Sequence, residues 1–292
     1  MIGATFPALY GLLGYPLGHT LSPPMHQAAL AALGLPGTYE ALPVPADRLA
    51  GAMAGVRAWR LPGLSVTIPH KVAVMAYLDE VTPLAQRIGA VNTIYWDGDK
   101  LCGDNTDYAG FRACLPPGTV AGQAVTVLGA GGAARAAVLA LADEGAARVH
   151  LVARRQAAAE ALRDQLLPGE QAGAIVPFED LPELQRILAE SRLVVNATPL
   201  GMHGKTAPLP GDALAALPAD AHVMDMIYAP AETPLMAAAR ARGLAVSNGA
   251  EMLLHQAAFA FERWTGAQAP LAAMREALHA GLAEVDETRR TP

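Results

Sequence analysis

Ala124-Val-Thr-Val-Leu128-Gly129-Ala-Gly131-Gly-Ala-Ala134, running on as an alanine-rich apolar segment through Ala142, is the stretch that decides the fold. Ala124–Leu128 is a continuous apolar run of strand length, and the segment after the glycines has the length and composition of a helix. Small residues at 129, 131 and 134 give the G-x-G-x-x-G/A spacing: the first glycine permits a tight turn, the second lets a backbone approach a pyrophosphate, and the third position lets helix lie close against strand. The N–H groups and positive dipole end of the helix then face an anion. Between an apolar strand and a helix this pattern predicts a dinucleotide-binding loop, whereas the same glycines without that context would be a common turn.

Working outward, the next strand is expected at Val149–Val152. An NAD site carries Asp or Glu at the end of that strand, bonded to the ribose 2′-OH. Here stands Ala153-Arg154-Arg155, with no acid. A guanidinium is a planar fork suited to a 2′-phosphate, so the expected cofactor is NADP. Basic pairs at strand ends are common on surfaces, and the missing acid tips the balance. Further strands are expected at Ala174–Val176, Leu193–Asn196, Val223–Met226 and Leu244–Val246, which completes a Rossmann-type series.

Upstream, short apolar runs alternate with helical patterns: strands at Tyr10–Leu13, Leu64–Ile68 and Ala90–Trp96, helices at Pro23–Leu33 and Pro69–Leu78. Such alternation predicts α/β structure with a mostly parallel sheet. Leu115-Pro-Pro-Gly-Thr119 is a cluster of breakers suited to a linker. After Asn248-Gly249 come two long helices, Ala250–Trp264 and Leu271–Val285, with no place in a Rossmann series. The expected organisation is therefore α/β in two domains: an N-terminal α/β substrate domain, residues 1–114, completed by C-terminal helices in 250–292, and a Rossmann-type NADP-binding domain at 115–249.

The totals agree and exclude several classes. A chain of 292 residues, 52% hydrophobic and 16% charged, is globular and large enough for two cores. A net charge of −6 without a basic cluster gives no footprint for nucleic acid. Cys102 and Cys114 form no Cys-x-x-Cys and no disulfide framework, which fits a reducing, cytoplasmic setting. The eight histidines show no metal-ligand spacing, so no metal is expected. The apolar stretch from Met1 to Gly14 lacks a basic n-region and is interrupted by Pro7, so a strand suits it better than a signal peptide. The longest apolar stretch, Val125–Ala142, is broken by Arg135, and no membrane span is expected. Arg289-Arg290 is a polar tail.

Several segments carry polar groups that packing alone does not require. In Thr20-Leu-Ser22-Pro23, Ser22 reads as an N-cap with Pro23 at the first helical position, and a helix N-terminus flanked by two hydroxyls can receive a carboxylate. In Ser65-Val-Thr67-Ile-Pro69-His70-Lys71, Pro69 again suits the first helical position. That places Lys71 in the first turn, where the dipole opposes a cation and favours the neutral amine that proton transfer needs. Asn92 interrupts the apolar strand Ala90–Trp96, and a buried amide requires a structural or a ligand partner. Asp107, in Gly103-Asp-Asn-Thr-Asp107, is by itself most simply a helix cap. Gln256 shares a helical face with Met252 and Phe259, which suits a ligand contact better than a core.

Taken together these segments resemble the shikimate dehydrogenases, in order and along nearly the whole chain. The resemblance rests on Gly14…Thr20-Leu-Ser22-Pro23, Val66-Thr67-x-Pro69-x-Lys71, Gly89-Ala-Val-Asn92-Thr93, Gly103-Asp-Asn-Thr-Asp107-x-x-Gly110-Phe111 and the glycine loop. It continues through Asn196-Ala-Thr198-x-x-Gly201-Met202, Asp225-Met-Ile-Tyr228-x-Pro230, and Asn248-Gly249-Ala-Glu-Met252-Leu-x-x-Gln256 to Trp264-Thr265-Gly266. It implies a two-domain enzyme that reversibly reduces 3-dehydroshikimate to shikimate with NADPH, a step of aromatic amino-acid biosynthesis, at a site in the cleft between its domains. It also implies a small-molecule substrate and a monomer or homodimer without nucleic-acid or membrane partners.

By position, Lys71 and Asp107 match the family's catalytic pair, Thr20, Ser22 and Tyr228 the groups around the substrate carboxylate, and Thr67, Asn92 and Gln256 those on the ring hydroxyls. Gly129, Ala130, Gly131, Gly132 and Ala133, with Thr198 and Gly249, match cofactor positions. Arg154, with Arg155 beside it, falls where the family sets an arginine against the 2′-phosphate. The chain departs from the family's usual serine at Thr20, asparagine at Ser65, Asn-Arg-Thr at 153–155 and serine at Pro199. The alternatives are a quinate or dual quinate/shikimate dehydrogenase and, in another class, a nonenzymatic ligand-sensing paralogue, which would need neither Lys71 nor Asp107.

Overall fold

The computed structural model describes residues 8–18, 20–202 and 206–290, the last five through their backbone alone. Pro7 and the start of the N-terminal apolar run, and the side chains of Arg289 and Arg290, lie outside the described residues. The chain divides into two compact units, Met1–Thr106 with Leu254–Glu284, and Asp107–Leu253 with Val285–Pro292.

The first unit contains β1 (Ala8–Gly14), α1 (Ser22–Ala32), β2 (Gly37–Pro43), α2 (Leu49–Ala58) and β3 (Gly63–Val66). A 3-10 helix, Ala73–Tyr77, leads to β4 (Glu80–Val81), α3 (Pro83–Ile88), β5 (Thr93–Asp97) and β6 (Lys100–Asp104). Its six-stranded sheet has the order β2-β1-β3-β5-β6-β4. Strand β5 is antiparallel to both neighbours and the other pairings are parallel, so the mostly parallel sheet expected from the alternation is present. One face is covered by a core of Leu13, Met53, Val56, Leu64, Ile94 and Leu101, each at most 3% exposed. Burying aliphatic side chains of this size stabilises by roughly 1.5–3 kcal/mol apiece.

Two expected boundaries shift for a visible reason. Ala90 and Val91 are not in a strand, because their N–H groups go to the carbonyls of Ala85 and Lys71 instead. Pro69–Leu78 does not form an α-helix: residues 68–72 are turn and the helical part is the short 3-10 segment. The Lys71 carbonyl accepts from Val91 N–H at 2.7 Å, and the Met75 N–H turns to Val72 O in a 3-10 bond.

After α4 (Thr106–Arg112) the second unit repeats strand and helix: β7 (Ala124–Leu128), α5 (Gly132–Asp143), β8 (Arg148–Val152), α6 (Gln156–Leu166), β9 (Ala172–Val176) and α7 (Leu181–Glu190). It continues with β10 (Ser191–Asn196), α8 (Gly211–Leu214), β11 (His222–Asp225), α9 (Pro234–Ala241) and β12 (Ala245–Ser247). All neighbours pair in parallel, in the order β12-β11-β10-β7-β8-β9. This is the doubly wound Rossmann order, whose ligand crevice lies beyond the carboxyl ends of the strands where the order reverses, here at β7 and β10. Two helices close the chain, α10 (Ala250–Thr265) and α11 (Leu271–Arg290). From Leu254 onward α10 belongs to the first unit.

Candidate active site

In the first unit, Thr20 and Ser22 precede and open α1. Ser22 is the first helical residue and Leu21 the N-cap, with no side-chain capping bond. The expected cap at Ser22 is therefore displaced by one residue: Thr20 Oγ1 accepts the Ser22 N–H at 3.3 Å. Ser22 is buried and Thr20 half-buried, so two hydroxyls still stand at the helix N-terminus.

Thr67 and Lys71 lie on the turn after β3. Thr67 N–H donates to Leu13 O at 2.9 Å, and His70 N–H donates to Thr67 O at 2.9 Å. The buried His70 ring sets Nε2 2.6 Å from Val44 O. With the Lys71 carbonyl held by Val91, three separate strands of chain grip this turn. Lys71 is thus placed by a fixed turn, and the expected dipole of an α-helix beneath it is absent. The positioning role of His70 was not foreseen, although a histidine between Pro69 and Lys71 was the available signal.

Asn92 stands one residue before β5 and is 2% exposed. Its Oδ1 accepts the Thr106 N–H at 2.7 Å, and its Nδ2 donates to Thr106 Oγ1 at 2.9 Å and to Gln256 Oε1 at 3.4 Å. The buried amide therefore has structural partners, Thr106 and Gln256, and the second of these is also a residue that the sequence offered as a ligand group. Gln256 is half-buried on α10, but the apolar face inferred for it is incomplete, since Phe259 is 39% exposed.

The two acids of Gly103-Asp104-Asn-Thr-Asp107 separate clearly. Asp104, on β6, accepts from Thr82 Oγ1 at 2.6 Å and from Asn105 N–H at 2.8 Å, and pairs with Arg263. It is engaged in holding the fold. Asp107 is buried inside the first turn of α4, which begins at Thr106, so it is not the residue preceding the helix. Tyr228 is half-buried just beyond β11. Asp107 and Tyr228 belong to the second unit, whereas Thr20, Ser22, Thr67, Lys71, Asn92 and Gln256 belong to the first.

The glycine loop leaves β7 as the spacing demands. Gly129 has φ +108°, where a side chain is strained, and a Cβ there would sit 3.1 Å from Thr198 Cγ2. A Cβ on Gly131 would meet nothing within 4 Å, so the space a pyrophosphate needs is open. Ala134 is fully buried where α5 meets the sheet. Ala130, Gly132 and Ala133 are half-buried around the loop. Arg154 and Arg155 follow β8 and are exposed.

Thr198 donates its hydroxyl to Asn196 Oδ1 at 2.7 Å, and Asn196 Nδ2 donates to Asp225 Oδ1 at 3.0 Å. Burial pushes the Asp225 carboxyl up, while hydrogen bonds from Thr233, the Ile227 N–H and Asn196 pull it back. Gly249 is obligatory for packing, because a Cβ there would fall 2.0 Å from Met226 O. A loop with one glycine at positive φ, one glycine facing open space and two exposed arginines at the next strand end fits a 2′-phosphorylated dinucleotide. Among the described residues no group of His, Cys, Asp and Glu is gathered to hold a metal, and no helix is long and apolar enough to cross a membrane.

Family models match in three consecutive places: the shikimate dehydrogenase substrate binding domain at residues 12–94, shikimate/quinate 5-dehydrogenase at 115–201, and the shikimate 5′-dehydrogenase C-terminal domain at 249–279. A shikimate dehydrogenase (NADP(+)) of Symbiobacterium thermophilum is 46% identical over 277 residues, covering 94% of each chain. The chain belongs to the shikimate dehydrogenase family. Among solved structures, shikimate 5-dehydrogenase from Thermus thermophilus, in complex with NADP(H) and shikimate, superposes with a TM-score of 0.81 at 38% identity, over 94% of this chain and all of that one. Quinate dehydrogenase from Corynebacterium glutamicum, in complex with NAD, gives 0.83 at 31% identity over 94% of this chain and 99% of that one. Fold likeness alone therefore does not separate shikimate from quinate as substrate within this family.

Proposed function

We propose that this protein is an NADP-dependent shikimate dehydrogenase, which reversibly reduces 3-dehydroshikimate to shikimate in aromatic amino-acid biosynthesis. Similarity to relatives of that activity along 94% of the chain carries the proposal. Every polar position by which the chain resembled the family is occupied by a group that can do its part. Residues 1–114 and 250–292 form the substrate domain, residues 115–249 form the cofactor domain and add Tyr228 to the substrate contacts, and the enzyme is cytoplasmic, in keeping with two unpaired thiols.

NADP+ supplies the hydride acceptor when bound. The Gly129–Ala133 loop and the N-terminus of α5 would hold its pyrophosphate, with Thr198 and Gly249 as further contacts, and Arg154 with Arg155 would take the 2′-phosphate. Thr20, Ser22 and Tyr228 hold the substrate carboxylate, and Thr67, Asn92 and Gln256 the ring hydroxyls. As the carbon–hydrogen bond at the oxidised carbon breaks, the hydroxyl proton must leave. Lys71, partnered by Asp107, accepts it, and returns it in the reduction.

Steady-state oxidation of shikimate and of quinate, each with NADP+ and with NAD+, tests the proposal. The expected result is the highest kcat/KM for shikimate with NADP+. A higher value for quinate would turn the assignment to quinate dehydrogenase; Thr20, whose additional methyl reshapes the carboxylate end, is worth only about 1–3 kcal/mol of discrimination.

A further inference from the structure

Strands β10 and β11 end side by side on Asn196 and Asp225, which are partners in register and fully buried. Asp225 Oδ1 accepts the Ile227 N–H at 3.1 Å, so the Asn196 atom 3.0 Å from that oxygen is the amide NH2. The second hydrogen of the NH2 goes to Leu200 O at 3.1 Å. Asn196 Oδ1 therefore faces the other way, where it accepts the Thr198 N–H at 3.0 Å. Two backbone N–H groups and one carbonyl fix an amide orientation that an isolated asparagine would leave open.

The consequence falls on Thr198. Its Oγ1 lies 2.7 Å from Asn196 Oδ1, which can only accept, so the hydroxyl proton points into the protein. The Leu200 N–H, 3.2 Å away, donates to the same Oγ1. What Thr198 still offers a ligand is a lone pair. Its place would suggest the opposite: a Cβ on Gly129, the first glycine of the loop, would come within 3.1 Å of Thr198 Cγ2, so the residue stands beside the pyrophosphate turn. Phosphate oxygens at neutral pH have no proton to give, and against this hydroxyl lone pair would meet lone pair.

We infer that Asn196 is a positioning residue of the nucleotide site: by taking the Thr198 proton it makes Thr198 an acceptor, matched to a hydrogen-bond donor on the nicotinamide half of the cofactor, a ribose hydroxyl or the carboxamide NH2, and mismatched to the pyrophosphate. The sheet order agrees. β8 and β10 flank β7, which sets Arg154 and Thr198 on opposite sides of the glycine loop, the arginine on the adenosine side and the threonine on the nicotinamide side. Asp225 stands behind the amide and keeps it from reversing. The inference rests on the proposed NADP site.

Calorimetric binding to the protein without shikimate tests it, with three probes: NADP+, 2′-phospho-ADP-ribose, which lacks the nicotinamide, and 2′-phospho-ADP, which ends at the pyrophosphate. Thr198→Val is expected to weaken NADP+ about three- to tenfold, as the loss of one hydrogen bond does, and to leave 2′-phospho-ADP within about twofold. A loss that persists with 2′-phospho-ADP-ribose assigns the donor to the ribose, and a loss confined to NADP+ assigns it to the carboxamide. Thr198→Ser, which keeps the hydroxyl, should bind all three like the wild type. Asn196→Ala should weaken NADP+ to a similar degree while 2′-phospho-ADP binds as well or better, because the released hydroxyl can turn to phosphate. A merely structural asparagine would weaken both alike. Thr198→Val, at a half-buried position, keeps the test decisive should Asn196→Ala not fold. Weaker 2′-phospho-ADP binding in either variant, or undiminished NADP+ binding, would overturn the inference alone. A wild-type protein that binds none of the three would overturn both it and the NADP site on which it rests.

Discussion

Two turns that leave strands in this molecule were each expected from the sequence to feed an α-helix, and only one does. Gly129–Ala134, after β7, opens a full α-helix from Gly132 to Asp143, whose first N–H groups are left for a ligand. Thr67–Lys71, after β3, also looked like a strand feeding a helix, yet it is a turn followed by a 3-10 segment. The first turn is built to work through its own backbone: small residues, a glycine at positive φ and a helix dipole would meet an anion from within a few residues of chain. The second works through distant partners, with Leu13, Val44 and Val91 holding Thr67, His70 and Lys71. A nucleotide loop is therefore a local device and the lysine turn a tertiary one.

The largest effect should come from the tertiary device. Lys71→Ala is expected to lower kcat by about 10²–10⁴ while shikimate binding, measured directly, changes far less. Near-normal kcat with badly weakened binding would make Lys71 a substrate anchor, and the proton would then have to pass through Asp107 or water. Asp107→Ala, at the second position of α4, should damage both quantities.

The packing behind the substrate face should be legible in acid. Burial pushes the imidazole of His26 down to about 3. Below the ordinary histidine range, about 6.5, the unfolded chain takes up a proton that the folded chain refuses until about 3. The unfolded state thus binds more protons in that window, and stability falls as pH drops through it and is unaffected above it. Between pH 7 and pH 5 the wild type should lose about 2 kcal/mol more than His26→Leu in urea unfolding, at roughly 1.4 kcal/mol per pH unit. Parallel losses in the two proteins would mean that water or a neighbour satisfies the ring.

The local device offers the smallest and most selective change. Arg154→Ala should raise KM for NADP+ roughly tenfold, consistent with one charge-assisted hydrogen bond of about 1.5–3 kcal/mol, and leave NAD+ nearly untouched. Equal losses with both cofactors would assign Arg154 to the fold.

The same contrast explains what could be read from the sequence. Each strand of the second sheet was legible to within two residues at either end, because short apolar runs such as Leu193–Val195 leave few alternatives. The glycine loop was legible because every feature that makes it work lies within six residues. In the first unit the polar residues of the site could be picked out, but not what holds them. Ser22 looked like a cap because the Thr20 hydroxyl that takes its N–H could not be foreseen. Pro69–Leu78 has a helical pattern, and the partners that hold this turn, Leu13, Val44 and Val91, are distant in sequence.

The central claim is that this chain moves a hydride between shikimate and NADP, and transfer of label measures it most directly. Shikimate carrying deuterium on the carbon of the hydroxyl to be oxidised is incubated with NADP+ and the protein, and the nicotinamide product is analysed by mass spectrometry. The expected result is NADPH carrying one deuterium for each shikimate consumed, alongside a product lighter than its substrate by one hydrogen and one deuterium. Binding of both compounds with no labelled NADPH formed would contradict it, and would leave the protein a receptor for shikimate rather than its dehydrogenase.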